Sequence, residues 1–252
     1  MSTELRRETL AIVRHLEAVS DRPVDLREQA DLPVMATIRA ARDGAPMHVL
    51  KYRPGGDLLD YQVATQCAHV LRLYQRPPDQ RFLFSSSGQR VATVEQMLRS
   101  SMKDQADAVA IQRFAKLVFD WLLLSVRSIP VGMRIDAWLW HDHPGLRPQV
   151  EEGLNRQMRE HLQAATRDFD GLRMPAAFVS LPAAYALFAD RLLGNNLFGI
   201  AWRSMGVTDD AAALLAIFDR VPETPLADDR LIDEFAAHLG VAGWYDWLAF
   251  KE

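Results

Sequence analysis

The sequence predicts a predominantly helical α+β protein. Apolar residues recur at helical spacing over most of the chain, whereas strict alternation of apolar and polar residues is confined to residues 34–40 and 47–52. The 252 residues are 49% apolar and 25% charged, a balance typical of one large folded unit or two small domains. We therefore expect an α+β region at residues 1–100 and a helical region at residues 101–252 that packs on it as one compact unit.

The first elements are a helix and a β-hairpin. Residues 5–19 have apolar side chains at helical spacing, and the polar, proline-containing stretch 20–23 ends that pattern. Residues 34–40 alternate, the pair Asp43-Gly44 favours a tight turn, and residues 47–52 are again apolar-rich. These signals predict two paired strands after the N-terminal helix.

A second helix follows, from about Leu58 to Gln75. The turn Pro54-Gly55-Gly56 precedes it, and Asp57 or Asp60 can cap its first turn. Its apolar stripe consists of Val63, Cys67, Val70 and Tyr74. Its more polar side, assembled by i, i+3 and i, i+4 spacing, consists of Thr65, Gln66, His69 and Arg72. We expect that polar side to line a cleft.

The remainder of the chain is mostly helical in pattern. Residues 81–90 are turn-like with weak strand character, residues 91–101 form a short helix and residues 104–126 a long one. Pro130 is expected to open a new helix that ends near residues 141–145. Further helices are predicted at residues 148–169, 182–193, 209–219 and 227–239, with Trp244, Tyr245 and Trp247 packing near the end.

The second helix resembles the site helix of a known family. The segment Leu59–Tyr74 is similar to that of small bacterial zinc metallopeptidases of the ImmA/IrrE type, which follow a β-hairpin with the pattern A-H-E-x-x-H-h-L-R, h being apolar. On that pattern Thr65 stands at the first histidine, Gln66 at the glutamate and His69 at the second histidine. The resemblance covers residues 34–76, and it implies a zincin-like fold around this helix.

The departures from the pattern remove the chemistry that the family uses. In H-E-x-x-H enzymes the two histidines bind one zinc ion and the glutamate takes a proton from the zinc-bound water. A threonine hydroxyl is a poor neutral zinc ligand, and a glutamine amide cannot accept and return a proton at neutral pH. We therefore expect a pseudoenzyme with no cofactor, which acts as a binding or regulatory module for a protein or peptide partner.

Two other functions remain open at this stage. One is a metal-dependent peptidase whose zinc site contains His69 with either Glu95 or Asp136, the resemblance implying an acidic residue downstream of the second histidine. His48, His141 and His143 are further candidate ligands for the same site. The other is a regulator associated with a DNA-binding partner, because relatives of this type often act beside repressors. Direct binding to nucleic acid is not expected, since the net charge is −4 and the sequence has no basic stripe.

Several side chains have simpler expected roles. Cys67 lies on the apolar stripe and should be a core residue, and a single cysteine excludes an internal disulfide. His69 is expected to be partly buried and hydrogen-bonded, and Arg72 or Arg134 can form an ion pair with Asp136 that ties the two regions together. His141 and His143 are expected to interact with carbonyl groups at a helix C-terminus.

The apolar runs are shorter than a membrane-spanning helix needs, and the N-terminus lacks a signal-peptide core, which predicts a cytoplasmic protein without membrane contact.

Overall fold

The computed structural model describes residues 5–86, 90–101, 108–166 and 176–251. Within these residues the chain forms nine α-helices, two small sheets and short 3₁₀ turns. The predicted fold class, a predominantly helical α+β protein, is confirmed. No helix in these ranges is long and apolar enough to cross a membrane.

The N-terminal region places a helix and a three-stranded sheet ahead of the site helix. Its elements are α1 (Arg7–Ser20), β1 (Val24–Glu28), β2 (Ala36–Arg39), β3 (His48–Tyr52) and α2 (Leu59–Tyr74). The strand order is β1-β3-β2, with β2 antiparallel and β1 parallel to the central β3. The β2–β3 hairpin was predicted, whereas β1 was not.

Helix α2 packs against α1 through its apolar stripe, and a carboxylate joins the two helices. Val63, Cys67, Val70 and Tyr74 are all buried, as predicted. Asp60 does not cap its own helix. Instead it accepts hydrogen bonds from the backbone N–H of Arg6 at 2.7 Å and from the hydroxyl of Thr9 at 2.6 Å, at the start of α1. Asp60 therefore satisfies the free amide end of α1 rather than that of α2.

The next two helices are α3 (Val91–Ser101) and α4 (Ala108–Asp142). The prediction that Pro130 opens a new helix is wrong, because Pro130 lies inside α4. A proline in a helix interior costs about 3 kcal/mol. The side chains of Val126, Ile129 and Met133, which continue one apolar face across the proline, are buried. Burial of that face on both sides of Pro130 offsets the cost.

The C-terminal helices are α5 (Arg147–Thr166), α6 (Ala176–Leu193), α7 (Leu197–Arg203), α8 (Thr208–Arg220) and α9 (Asp228–His238). Helix α6 begins before Pro182, which was expected to open it, and the short α7 was not predicted. The side chains of residues 178–186 in α6 are all buried, so this part of the helix is covered on every side and is held by its surroundings. The predicted helical residues 104–107 and 167–169 lie outside the described ranges.

A second sheet joins distant parts of the chain. Strand β4 (Phe82–Ser85) pairs antiparallel with β5 (Asp246–Ala249). The ring of Phe84 stacks on that of Tyr245, with centroids 4.2 Å apart, and the ring edge of Trp247 also meets Phe84. The aromatic residues near the C-terminus thus dock the end of the chain beside α2, and one continuous apolar core runs from Leu5 to Phe250.

Candidate functional site

A cleft of about 590 Å³ lies over the polar side of α2. Helix α2 contributes Gln66, His69 and Arg72 to its lining. Residues of β2, α4, α9 and the β4–β5 sheet form the remaining walls. The cleft therefore opens between the N-terminal sheet and the helices of the second half of the chain.

His69 is the motif-equivalent residue that lies in this cleft, and it is half-buried. Burial, reinforced by the nearby charge of Arg127, lowers the pKa of His69 from 6.5 to about 4. The imidazole is therefore neutral at neutral pH. The sequence predicted a hydrogen bond to the ring of His69. Among the residues that the structure describes, neither ring nitrogen of His69 has a hydrogen-bond partner.

The other two motif-equivalent residues do not complete a zinc site. The hydroxyl of Thr65 donates a hydrogen bond to the carbonyl of Tyr61 at 2.8 Å, one turn earlier in α2, and Thr65 is not part of the cleft lining. Gln66 lines the cleft but carries an amide. These positions therefore offer one imidazole, one amide and one hydroxyl that is already engaged, a donor set that does not fit zinc.

The candidate ligands His48 and Glu95 are engaged elsewhere. His48 is fully buried, its Nδ1 accepts a hydrogen bond from the Ala41 N–H at 3.0 Å, and its Nε2 lies 2.9 Å from the hydroxyl oxygen of Ser20. Because Nδ1 is an acceptor, the neutral ring carries its proton on Nε2. Burial also lowers the pKa of His48 to about 4. Glu95 forms an ion pair with Arg99 on α3 at 2.5 Å.

Asp136 belongs to a buried cluster between α2, α4 and α6. It accepts hydrogen bonds from the hydroxyl of Tyr61 at 2.8 Å and from the hydroxyl of Tyr185. Burial raises the pKa of Asp136 to about 6, although the two tyrosine donors act in the opposite direction. The ring of His161 lies 6.0 Å from that of Tyr185, and its buried Nδ1 has no hydrogen-bond partner among the residues that the structure describes.

The histidines at the end of α4 do not interact with helix carbonyl groups as expected. His141 is exposed and lines a separate depression, while the ring of His143 meets Trp138 edge-on at 4.5 Å. Burial lowers the pKa of His143, and its Nε2 has no hydrogen-bond partner in the part of the chain that the structure describes. Over the described ranges no three histidine, cysteine, aspartate or glutamate side chains lie close enough together to hold a metal ion.

Two aspartates at the start of α9, Asp228 and Asp229, line the cleft. Asp228 accepts hydrogen bonds from Arg72 on α2 at 2.8 Å and from Arg134 on α4 at 2.7 Å. Asp229 binds Arg76 at 2.6 Å. An ion pair that joins residues 1–100 to residues 101–252 was predicted and is present. Its acidic partner for Arg72 and Arg134 is Asp228, however, and not Asp136. Sequence reasoning missed Asp228 because helical spacing carries no information about contacts between distant segments.

Strand β2 presents an open edge to the same cleft. The N–H of Arg53 donates to the carbonyl of Met35 at 2.9 Å, which fixes the hydrogen-bonded pairs of the β2–β3 ladder. In an antiparallel ladder the intervening residues turn their backbone groups away from the partner strand. Ile38 is such a residue, and it lines the cleft together with Ala40, which follows the end of β2. The N–H and C=O groups of Ile38 therefore point outward along an edge that pairs with no other strand of the described residues.

No family model matches the chain, and no curated protein or solved structure matches it either. The resemblance to the zinc metallopeptidases therefore stays a prediction from the sequence.

Proposed function

We propose that this protein is a non-catalytic, metallopeptidase-like module that binds an extended peptide segment of a protein partner. The observation that carries the proposal is the open edge of β2 beside the cleft. An extended peptide can add to such an edge as a further strand, with backbone hydrogen bonds to Ile38. The cleft volume of about 590 Å³ lies within the usual range for ligand pockets.

Binding without cleavage is supported by the chemistry of the α2 residues. A bound peptide bond would face the amide of Gln66 and the imidazole of His69, without a carboxylate from α2 to activate water. The alternative hydrolase needs Glu95 or Asp136 as a zinc ligand, yet Glu95 pairs with Arg99 and Asp136 is held by two tyrosines. No observation favours the further alternative of a partner that binds DNA.

The first experiment is a selection of random heptapeptides displayed on phage against the purified full chain. A selected peptide is then resynthesised with one backbone N-methyl group at each position in turn. Because only alternate amides of an added strand bond to the edge, affinity should fall at every second position and stay nearly unchanged at the others. A uniform effect along the peptide, or no selected peptide, contradicts the proposal.

A pair of variants locates the binding edge. Ile38→Pro removes an outward N–H from β2, and Leu26→Pro makes the same change on β1, the opposite edge of the sheet. Peptide binding should be lost in the first variant and retained in the second, provided that both keep the circular dichroism of the parent. If peptide binding is lost in both variants or in neither, the peptide does not bind at the edge of β2.

The absence of catalysis is tested separately. The selected peptide should remain intact during incubation with the protein and added zinc. Zinc-dependent cleavage that His69→Ala abolishes would overturn the non-catalytic proposal. We also propose a cytoplasmic location, which the single, buried Cys67 suits, and cell fractionation checks it.

A further inference from the structure

We infer that the cleft selects acidic peptides, and that Arg127 binds a carboxylate side chain of the extended segment. The inference rests on the proposed function, because it assumes that the ligand is a peptide on the edge of β2. It goes further by naming the chemical class of that peptide and the residue that recognises its side chain.

The charge of the cleft is opposite to that of the chain as a whole. Its lining contains five arginines and two aspartates, a net charge of +3, whereas the whole chain carries −4. The two aspartates, Asp228 and Asp229, are already bound by arginines within hydrogen-bond distance. They are therefore unable to attract a basic ligand strongly, and the excess guanidinium charge favours an anionic one.

Among the arginines of the cleft, Arg127 is the best placed to bind an anionic group of a ligand. Its side chain is exposed on the cleft wall formed by α4, and no acidic partner lies within the described residues. Arg127 and His69 line the same cleft, and after burial the charge of Arg127 is the next cause that lowers the pKa of His69, so the guanidinium lies within electrostatic reach of the imidazole. A free guanidinium in a concave site can bind a carboxylate through two parallel hydrogen bonds.

An apolar strip on α4 continues from the cleft and suits the other side chains of such a segment. Leu117, Trp121, Leu124 and Ser128 follow one another at i+4, i+3 and i+4, which places them on one face. Leu124 and Ser128 line the cleft, and Leu124 and Leu117 are 61% and 58% exposed. Large side chains exposed in a row beside a cleft are typical of an interaction surface.

A peptide fits these features better than a nucleic acid. The outward N–H and C=O groups of Ile38 on the open edge of β2 match the donors and acceptors of a polypeptide backbone. A phosphodiester backbone has no N–H groups to donate to the carbonyls of that edge. The arginines by themselves suit either anion, so the experiment includes both.

The test repeats the heptapeptide selection with the parent chain, Arg127→Glu and Arg113→Glu. Arg113 is an exposed arginine of the same helix outside the cleft, so the second variant controls for the change in net charge. The parent and Arg113→Glu should enrich aspartate or glutamate at one peptide position. Arg127→Glu should enrich lysine or arginine at that position, because the charge that reads the side chain is reversed.

The affinity of a single selected peptide tests the role of Arg127 quantitatively. Replacing its acidic residue by glutamine should weaken binding to the parent about tenfold, the effect expected for one charge-assisted hydrogen-bonded pair. The same replacement should leave binding to Arg127→Glu unchanged or stronger. A charge-swapped peptide should in turn restore binding to Arg127→Glu, which a purely structural role of Arg127 cannot produce.

The outcomes separate this inference from the proposed function. Selection of neutral or basic peptides by the parent overturns the acidic preference while peptide binding stands. Enrichment of no peptide at all overturns both. An oligothymidylate that binds the parent more tightly than the selected peptide, and loses that binding in Arg127→Glu, assigns the cleft to nucleic acid instead.

Discussion

Asp228 accepts hydrogen bonds from arginines of two different helices. Arg72 and Arg134 lie at 2.8 and 2.7 Å, and Arg76 approaches to 3.9 Å. The Asp228 side chain is only 4% exposed. Burial lowers the pKa of Arg134, but the neighbouring carboxylate acts against that shift. The carboxylate of Asp228 therefore balances the charge of guanidinium groups that are buried away from water.

Removing that carboxylate charge should be costly. Asp228→Asn should lower the free energy of unfolding by about 3–5 kcal/mol, because it leaves buried guanidinium groups without a counter-charge. Asp229→Asn is the matched control, since the Asp229 side chain is 24% exposed and Arg76 is its one ion-pair partner among the described residues. Its cost should be smaller, about 1 kcal/mol. Urea unfolding measures both, and equal losses would contradict the argument.

Among the residues of the site, those whose positions follow from local helical geometry could be predicted from the sequence. The positions of Gln66, His69 and Arg72 on one side of α2 follow from helical geometry, which is local. The contact between Arg72 and Asp228 spans 156 positions of the chain and follows from the packing of α2 against α9. Arg127 was missed for the same reason, because its place in the cleft depends on how α4 crosses α2.

At the scale of elements, glycines decide how closely some helices pack. Gly153 of α5 lies against the ring of Tyr61 on α2, where an added Cβ would stand 2.4 Å from the nearest ring carbon. Gly132 of α4 has more room, since its nearest neighbour to an added Cβ would be the Tyr185 hydroxyl at 4.0 Å. The two glycines are both helical, so they differ in surroundings rather than in backbone.

The same substitution should therefore have opposite effects at these two positions. Gly153→Ala should destabilise the protein by about 1–3 kcal/mol, because the rigid, buried ring of Tyr61 must move. Gly132→Ala should stabilise it by up to about 1 kcal/mol, the usual gain from alanine in a helix interior. Thermal unfolding of the two variants tests this, and a gain in stability for Gly153→Ala would refute the close contact.

The success of element prediction depended on whether local signals agreed with tertiary packing. The hairpin and α2 have alternation, turn residues and helical spacing that all point the same way. Pro130 and Pro182 lie inside helices that buried apolar faces hold together, so the local rule for proline failed there. Strands β1 and β5 are short, and they exist because partner strands elsewhere in the chain accept them.

At the scale of the whole molecule, the protein buries several ionisable groups, and burial disfavours the charged form of each. Burial lowers the pKa values of His48, His69 and His161 from 6.5 to about 4. It raises the pKa of Asp136 from 3.8 to about 6. The histidines and the aspartate therefore make the stability of the fold depend on pH in opposite directions.

The histidines should dominate, so the protein should lose stability as the pH falls from about 6.5 to about 4. In this window the unfolded chain binds protons at all three histidines and the folded chain does not, which costs about 1.4 kcal/mol per pH unit for each. The contribution of Asp136 is full below about pH 4 and is lost as the pH rises through about 6, so it offsets roughly one histidine.

Two variants divide this dependence between the groups, with urea unfolding measured between pH 4.5 and pH 7. His161→Leu should flatten the loss of stability in acid, because it removes one of the three groups that only the unfolded chain protonates in this window. The Nδ1 of His161 has no hydrogen-bond partner within the described ranges, so the change breaks no hydrogen bond there. Asp136→Asn should steepen the loss, because the contribution that opposes the histidines is gone. If both variants keep the pH dependence of the parent, burial shifts the pKa of neither His161 nor Asp136, which contradicts the prediction.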